Sequence, residues 1–413
     1  MDKNKRLTVW LPVIIAASIA LGIFIGNHYL SISQGKKRSY SSGNKINAIL
    51  DIIDEQYVDT VSMSKLVEST IPKIFSELDP HSVYIPAEDA SVVNEELEGS
   101  FSGIGVSFNM QTDTILVISV ISGGPAEKAG LLPFDRIISI NDSIFSGKKK
   151  NQGEIMKTLR GAKNSTVKLG VQRGNSPELL YFDVTRGDVP VNSVDVSFEA
   201  AKGIGYIKVS KFARNTYNEF ITAIAKLKQA GCTSFVIDLR GNTGGYMDAA
   251  INMINEFMPE GRLIVYTEGK SFPRSDVYAN GTGTCKDAPI VVLTDEISAS
   301  ASEIFSGAIQ DNDRGTIIGR RTYGKGLVQT QMSLSDGSEM RLTIARYYTP
   351  SGRCIQKKYE MGNTDAYDQD IYNRYMHGEF DSADSIKMDD SLKYQTVGGR
   401  TVYGGGGIMP DPS

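Results

Sequence analysis

Beyond Pro190 the chain alternates strand-like with helix-like segments, and this alternation constrains the fold more tightly than any other feature. IGYIKV (204–209) precedes a helical stretch from Thr216 to Gln229, and FVIDL (235–239) precedes a glycine-rich turn and a helix from Tyr246 to Met258. PIVVLTD (289–295) leads into a helix from Ser300 to Gln310, with TIIG (316–319) after it. Strands alternating with helices predict an α/β domain with a substantially parallel sheet, whose sites lie in turns at the carboxyl ends of strands. Roughly the last 60 residues are polar and tyrosine-rich, and no element is predicted there.

Upstream the texture differs. From about Gly99 to Arg186, GIGVSF, ILVISVI, RIISIND, VKLGVQR and LLYFDVT alternate between turns, with one helical segment from Gly153 to Leu159. That is a compact β-rich module. Before it, Ile46, Ile49, Leu50 and Ile53 recur at the period of one buried helical face, and a second such stretch runs from Leu66 to Leu78, ending at Asp79-Pro80. The predicted partition is an N-terminal anchor (1–30), a Ser/Gly/Lys linker (31–43), a helical region (44–98), the β-rich module (99–186) and the α/β domain with its polar tail (187–413).

The anchor rests on LTVWLPVIIAASIALGIFI, Leu7 to Ile25, behind Lys3, Lys5 and Arg6. It is long enough to cross a bilayer core of roughly 30 Å. A signal peptide usually has an apolar region of about 7 to 15 residues and ends in a small-x-small site, and GNHYLSIS after Ile25 offers none. The reading is an uncleaved single-pass anchor in a bacterial inner membrane, with the charged tip cytoplasmic and the rest exported, although Lys36, Lys37 and Arg38 carry as much positive charge on the far side.

Composition removes other classes. Forty-four basic against 48 acidic residues give a net charge of -4 without a long basic run, which argues against nucleic acid as a partner. Cys232, Cys285 and Cys354 are odd in number and far apart, so they predict no disulfide framework, no metal knuckle and three small buried hydrophobes. No clustered ligand set and no phosphate loop is present, so neither metal, cofactor nor nucleotide is expected.

Several turns could carry chemistry. Ser300 stands at a helix start just past a strand end, where free N–H groups and the positive end of the helix dipole stabilise developing negative charge. Ser300 with Glu303 equally reads as a capping box. The three histidines, His28, His81 and His377, lie outside the α/β turns, and no G-x-S-x-G elbow occurs, so a Ser-His-Asp triad is disfavoured. Lys325, between Gly324 and Gly326, is the other available base, with Gln329 four residues on and facing the same way; a lysine in a glycine turn is otherwise simply solvated. The turn from Arg240 to Gly245 reads either as a plain tight turn or as an oxyanion site, in which N–H groups of Gly244 or Gly245 would join that of Ala301. In the β-rich module, Gly103-Ile104-Gly105-Val106 reads as a hairpin turn or as a loop presenting N–H groups to a peptide's terminal carboxylate.

Taken together, LDPHSVYIPAED (78–89), GIGVSF with GGPAEKAGLLPFDRIISIN, DLRGNTGG, SASASEIFSGAIQD and TYGKGLVQ resemble the carboxy-terminal processing peptidases, serine endopeptidases of the tail-specific protease family, over almost the whole chain beyond the anchor. The resemblance implies a helical opening segment, a PDZ domain and a catalytic core related to crotonases and ClpP-type proteases. It further implies Ser300 as nucleophile, Lys325 as general base and Gln329 as the residue that orients the lysine. Two departures stand out: Phe134 occupies a turn position where PDZ signatures usually have glycine, and related sequences tend to continue beyond GGGGIMPDPS. The expectation is a membrane-tethered Ser-Lys endopeptidase whose PDZ groove captures free C-termini of exported proteins. The rival is a catalytically silent PDZ adaptor, which would have no need of serine, lysine and glutamine in matching motifs.

Overall fold

The computed structural model describes Ile19 and residues 42–411, except 112–113, 148–151, 383–384 and 387. The expected anchor thus lies outside the described residues but for Ile19, and among the described residues no helix is long and apolar enough to cross a membrane. The chain forms two compact units that divide between Thr70 and Ile71. In the first, the predicted periodicity does give a helix, α1 (Ser42–Gln56), yet Ile46 and Ile49 on its apolar face stay exposed. A second helix, α2 (Met63–Ser76), follows.

The region expected to be helical also holds a strand. After a turn at Asp79 to Ser82 come β1 (Val83–Ile85), α3 (Ala87–Glu98) and β2 (Ser100–Gly103), with Gly99 closing the helix at φ +75°. The β-rich module then runs β3 (Val106–Gln111), β4 (Thr114–Val120), α4 (Pro125–Ala129), β5 (Arg136–Ile140), β6 (Ser143–Ile144), α5 (Gln152–Leu159), β7 (Thr166–Gln172) and β8 (Leu180–Thr185). Its antiparallel sheet has the order β3-β4-β5-β7-β8, which leaves β3 at an edge. Val167, Leu169 and Val171 alternate into a separate core with Ile115, Val117, Ile137 and Val184. The next strand, β9 (Gly187–Pro190), pairs antiparallel with β2, Gly103 opposite Gly187, so the module enters and leaves through one two-stranded ribbon.

The α/β part follows as β10 (Val194–Ala201), β11 (Ile204–Val209), α6 (Thr216–Gln229), β12 (Ser234–Asp238), α7 (Met247–Asn255), β13 (Leu263–Glu268), β14 (Ser275–Tyr278), β15 (Ile290–Thr294), α8 (Ala301–Asp311), β16 (Thr316–Gly319), β17 (Leu327–Ser333) and β18 (Glu339–Tyr348). One sheet has the order β10-β11-β12-β15-β16; its last four strands are parallel, as the alternation predicts, and β10 is antiparallel. A second, antiparallel sheet is organised around β18, which pairs with β17, β1 and β13. Helix α8 packs against β16 of the first sheet and β13 of the second, and every residue in it is buried. Phe220, Phe235 and Phe305 meet Phe257 edge-on in the shared core at 6.2, 6.3 and 6.4 Å. The polar tail is ordered against this core: fully buried Arg353 pairs with Asp311 at 2.7 Å, and the Asp411 carboxylate accepts from Ile317 N at 2.8 Å.

Candidate active site

Ser300 lies between β15 and α8 with φ +54° and ψ -112°. A sparsely populated backbone conformation of this kind costs a residue with a β-carbon about 1–3 kcal/mol and persists only where its surroundings enforce it. They do so here from both sides. Ser300 N donates to the Glu303 carboxylate at 2.8 Å, within the capping box that Ser300 and Glu303 form at the start of α8, as expected. From the other side the glycine turn packs onto the serine, since a β-carbon on Gly244 would stand 2.8 Å from Ser300 Cβ and 3.0 Å from Ala301 N. Asp295 binds the two turns together, accepting from Ser298 N and from Gly241 N, each at 3.0 Å.

The expected oxyanion donors differ in what their N–H groups already bond. Gly244 N donates to Asn242 Oδ1 at 2.8 Å in a buried bond, leaving Gly245 as the glycine of this turn with a free N–H. The N–H groups of Gly245 and Ala301 make no hydrogen bond to any described residue.

Lys325 precedes β17 and Gln329 lies within it. Burial, then the charge of Arg341, hold the lysine amine below its ordinary value of 10.5. Lys325 Nζ donates to Gln329 Oε1 at 3.2 Å, and among the described residues it has no hydrogen bond to the Ser300 hydroxyl. Gln329 Nε2 donates to the main-chain carbonyl of His81. Because a carbonyl can only accept, this bond fixes the amide with its oxygen toward the lysine. The carbonyl is itself held: Asp79 accepts from His81 N at 3.0 Å and Thr343 Oγ1 at 2.9 Å, tying the turn to β18.

Glu303 is the functional residue that sequence reasoning reduced to a cap. Wholly buried, it receives Thr322 Oγ1 at 2.6 Å and Gly324 N at 2.7 Å on one oxygen, and Ser300 N and Lys325 N, both at 2.8 Å, on the other. Burial pushes its carboxyl up, and the four donors pull it back toward the ionised, acceptor-only form. Tyr347, also buried, places its hydroxyl 2.5 Å from Lys325 O and 3.1 Å from Ser300 O. Serine and lysine segments, 25 positions apart, are thus clamped twice. The SxxE spacing was visible in the sequence; the link to Thr322, Gly324 and Lys325 was not.

The histidines stand aside as bases. His81 Nε2 lies 2.8 Å from the Tyr367 hydroxyl, and burial, followed by the nearby Lys325 charge, holds its pKa down at about 4. His377 is exposed, its Nδ1 on Asn373 O, and His28 lies outside the described residues. The peptide-binding residues sit apart, in the β-rich module: Gly103 is committed to the ribbon, buried Ile104 and Gly105 (φ +77°) form the turn, and Val106 begins the edge strand β3. Phe134 adopts φ +70°, the backbone state that glycine takes most easily, with 74% of its surface exposed. Cys232 and Cys285 are buried as expected, whereas Cys354 is only partly so.

Ser300, Ala301, Gly244, Gly245, Lys325 and Gln329 all line one cavity of about 690 Å³. Residues 203–365 match peptidase family S41, and residues 102–195 match the PDZ domain family. The chain belongs to the S41 peptidases, the family of the carboxy-terminal processing serine proteases. It is similar to the carboxy-terminal processing protease CtpB of Bacillus subtilis strain 168, with 35% identity over 318 residues covering 76% of this chain and 66% of that one. It is likewise similar to the probable CtpA-like serine protease of Staphylococcus aureus strain N315, with 33% identity over 365 residues, 86% of this chain and 72% of that one. Among solved structures, the photosystem II D1 C-terminal processing protease is 28% identical, covering 76% of this chain and 90% of the other, with a TM-score of 0.42.

Proposed function

We propose that the protein is a serine endopeptidase using a Ser300–Lys325 dyad, with Gln329 orienting the lysine. The observation that carries this is the clamp: Glu303 and Tyr347 join the strained serine turn to the lysine turn at the wall of one cavity. Neutral Lys325 takes the Ser300 proton as the oxygen attacks the scissile carbonyl, giving a tetrahedral oxyanion that the N–H groups of Ala301 and Gly245 receive. The lysine then gives the proton to the departing amine; Lys325 next deprotonates a water that attacks the acyl-enzyme, and hands that proton to Ser300 Oγ as the acyl–oxygen bond breaks. Gln329 Oε1 accepts one lysine N–H and so leaves the nitrogen lone pair for the serine. Nζ and Oγ must close together first, a tightening common once substrate fills a site.

The PDZ domain supports capture of free C-termini: edge strand β3 is open to an added strand beside the Ile104–Gly105 turn. The apolar run 7–25 supports a membrane-tethered protein with its catalytic part on the exported side. Incubation with an unfolded protein tests the central reading. Wild type should fragment it, and Ser300→Ala and Lys325→Arg should leave it intact, because arginine keeps the charge and cannot be a base. Intact substrate with all three would return the adaptor reading.

A further inference from the structure

The cavity wall carries a guanidinium that the dyad chemistry does not use. Arg341 lies on β18 directly across from Gln331 of β17, and both line the cavity. Arg341 Nε donates to Gln331 Oε1 at 3.0 Å. Gln331 is held in turn, its Nε2 donating to Asn94 Oδ1 at 2.7 Å and to Glu339. Two positions before Arg341 on the same strand, Glu339 is the obvious partner for the cation, yet its carboxylate receives Asn94 and Gln331 instead. Among the described residues, Arg341 Nη2 is left fully buried without a hydrogen-bond partner.

A buried, unpaired donor on a cation is costly and calls for an explanation. Here the neighbours supply geometry without neutralisation: Gln331 fixes the guanidinium plane and leaves the charge uncompensated. Among the described residues, the lining holds two basic side chains, Lys325 and Arg341, against one carboxylate, Asp248. A guanidinium fixed in this way suits a carboxylate, with which it forms a short charge-assisted bond.

We propose that Arg341 is a substrate-binding residue that receives a carboxylate of the peptide being cleaved. Two sources share that chemistry, an acidic side chain beside the scissile bond and the terminal carboxylate of a short tail. Arg341 also depresses the Lys325 amine, so the same bound anion would reach the base electrostatically.

The proposal rests on the peptidase reading, and the test separates the two. Full-length wild type, Arg341→Gln and Arg341→Lys are given two peptide pairs, one differing by Glu or Gln at positions flanking the cleaved bond, the other by a free-acid or amide end close to it. The quantity read is the ratio of kcat/KM within each pair. Any preference owed to the PDZ domain cancels in the comparison of wild type with variant. In at least one pair, wild type should favour the carboxylate about tenfold or more, Arg341→Gln should lose that preference, and Arg341→Lys should keep part of it. The pair that responds identifies the source. Were Arg341→Gln inactive, the same ratios would be read as Kd in a Ser300→Ala background. Unchanged ratios in both pairs overturn the assignment of Arg341 and leave the peptidase standing. No cleavage of any peptide by wild type overturns the peptidase reading itself.

Discussion

The carboxylate of Glu303 receives the main-chain N–H of Lys325 at 2.8 Å on the same oxygen that receives the N–H of Ser300. A single buried oxygen therefore sets how far apart the serine's turn and the lysine's turn can be. Replacing Glu303 by Gln puts an NH2 where two donors already point, stranding at least one of them. We expect Glu303→Gln to lose about 1–3 kcal/mol of stability in denaturant titration, and its turnover to fall by more than its substrate binding. Unchanged kcat would show that the clamp does not position the dyad.

Gln329→Glu tests the amide's orientation. A carboxylate there attracts the protonated lysine and faces the His81 carbonyl with a second acceptor. The amine should be held charged, so activity at pH 7 should fall at least about tenfold and recover as pH rises. Gln329→Ala, which leaves the base in place, should lose less. A kcat profile against pH that is identical for Gln329→Glu and wild type contradicts this account.

Lys325 also makes stability depend on pH. Its amine titrates lower in the folded chain than its ordinary 10.5, so between those two pKa values the unfolded chain binds more protons. The lysine's penalty on folding is therefore full below the folded pKa and fades as pH rises through the window. Lys325→Met has no such penalty. Its stability relative to wild type should decline as pH rises toward 10.5, measured by thermal unfolding of the full chain across pH; a constant difference would place the lysine in water.

Phe134 offers a backbone test in the PDZ domain. Its φ of +70° costs a residue with a β-carbon about 1–2 kcal/mol, and its exposed ring regains little by packing. After the extra chain entropy of glycine, Phe134→Gly should stabilise the domain by about 0.5–1 kcal/mol. A loss in denaturant titration would mean that the ring is held by contacts that offset the strain.

The parallel sheet was legible because buried strands such as FVIDL and PIVVLTD alternate with helices of clear period. The serine, lysine and glutamine were singled out because their short motifs resemble those of the tail-specific proteases, while spacing alone left a helix cap and a solvated lysine as equal readings. What joins them was hidden by distance along the chain. Glu303 reads as a local cap until folding brings Thr322 and Gly324 onto it, and Tyr347 is one of many tyrosines until β18 lays it under both turns. The turn at Asp79 to Ser82, placed by sequence in a helical region, sits instead against β18, where its His81 carbonyl faces Gln329. Gly244 was half legible: its closeness to the serine followed from the glycine turn, but the side chain of Asn242 had already taken its N–H.

The β2–β9 ribbon has a consequence for how the molecule can be built. Gly103 and Gly187 face each other as cross-strand partners, so everything between them is a single excursion from one point of the chain. Strand β1, before the excursion, pairs with β18, long after it, so the peptidase is one body assembled from two stretches of sequence. A tight turn joining the ends of the ribbon would close the chain without shifting any strand of either core sheet. The PDZ domain is thus carried as an insertion at one point of the peptidase chain, and domains of other specificity could be grafted at the same two residues.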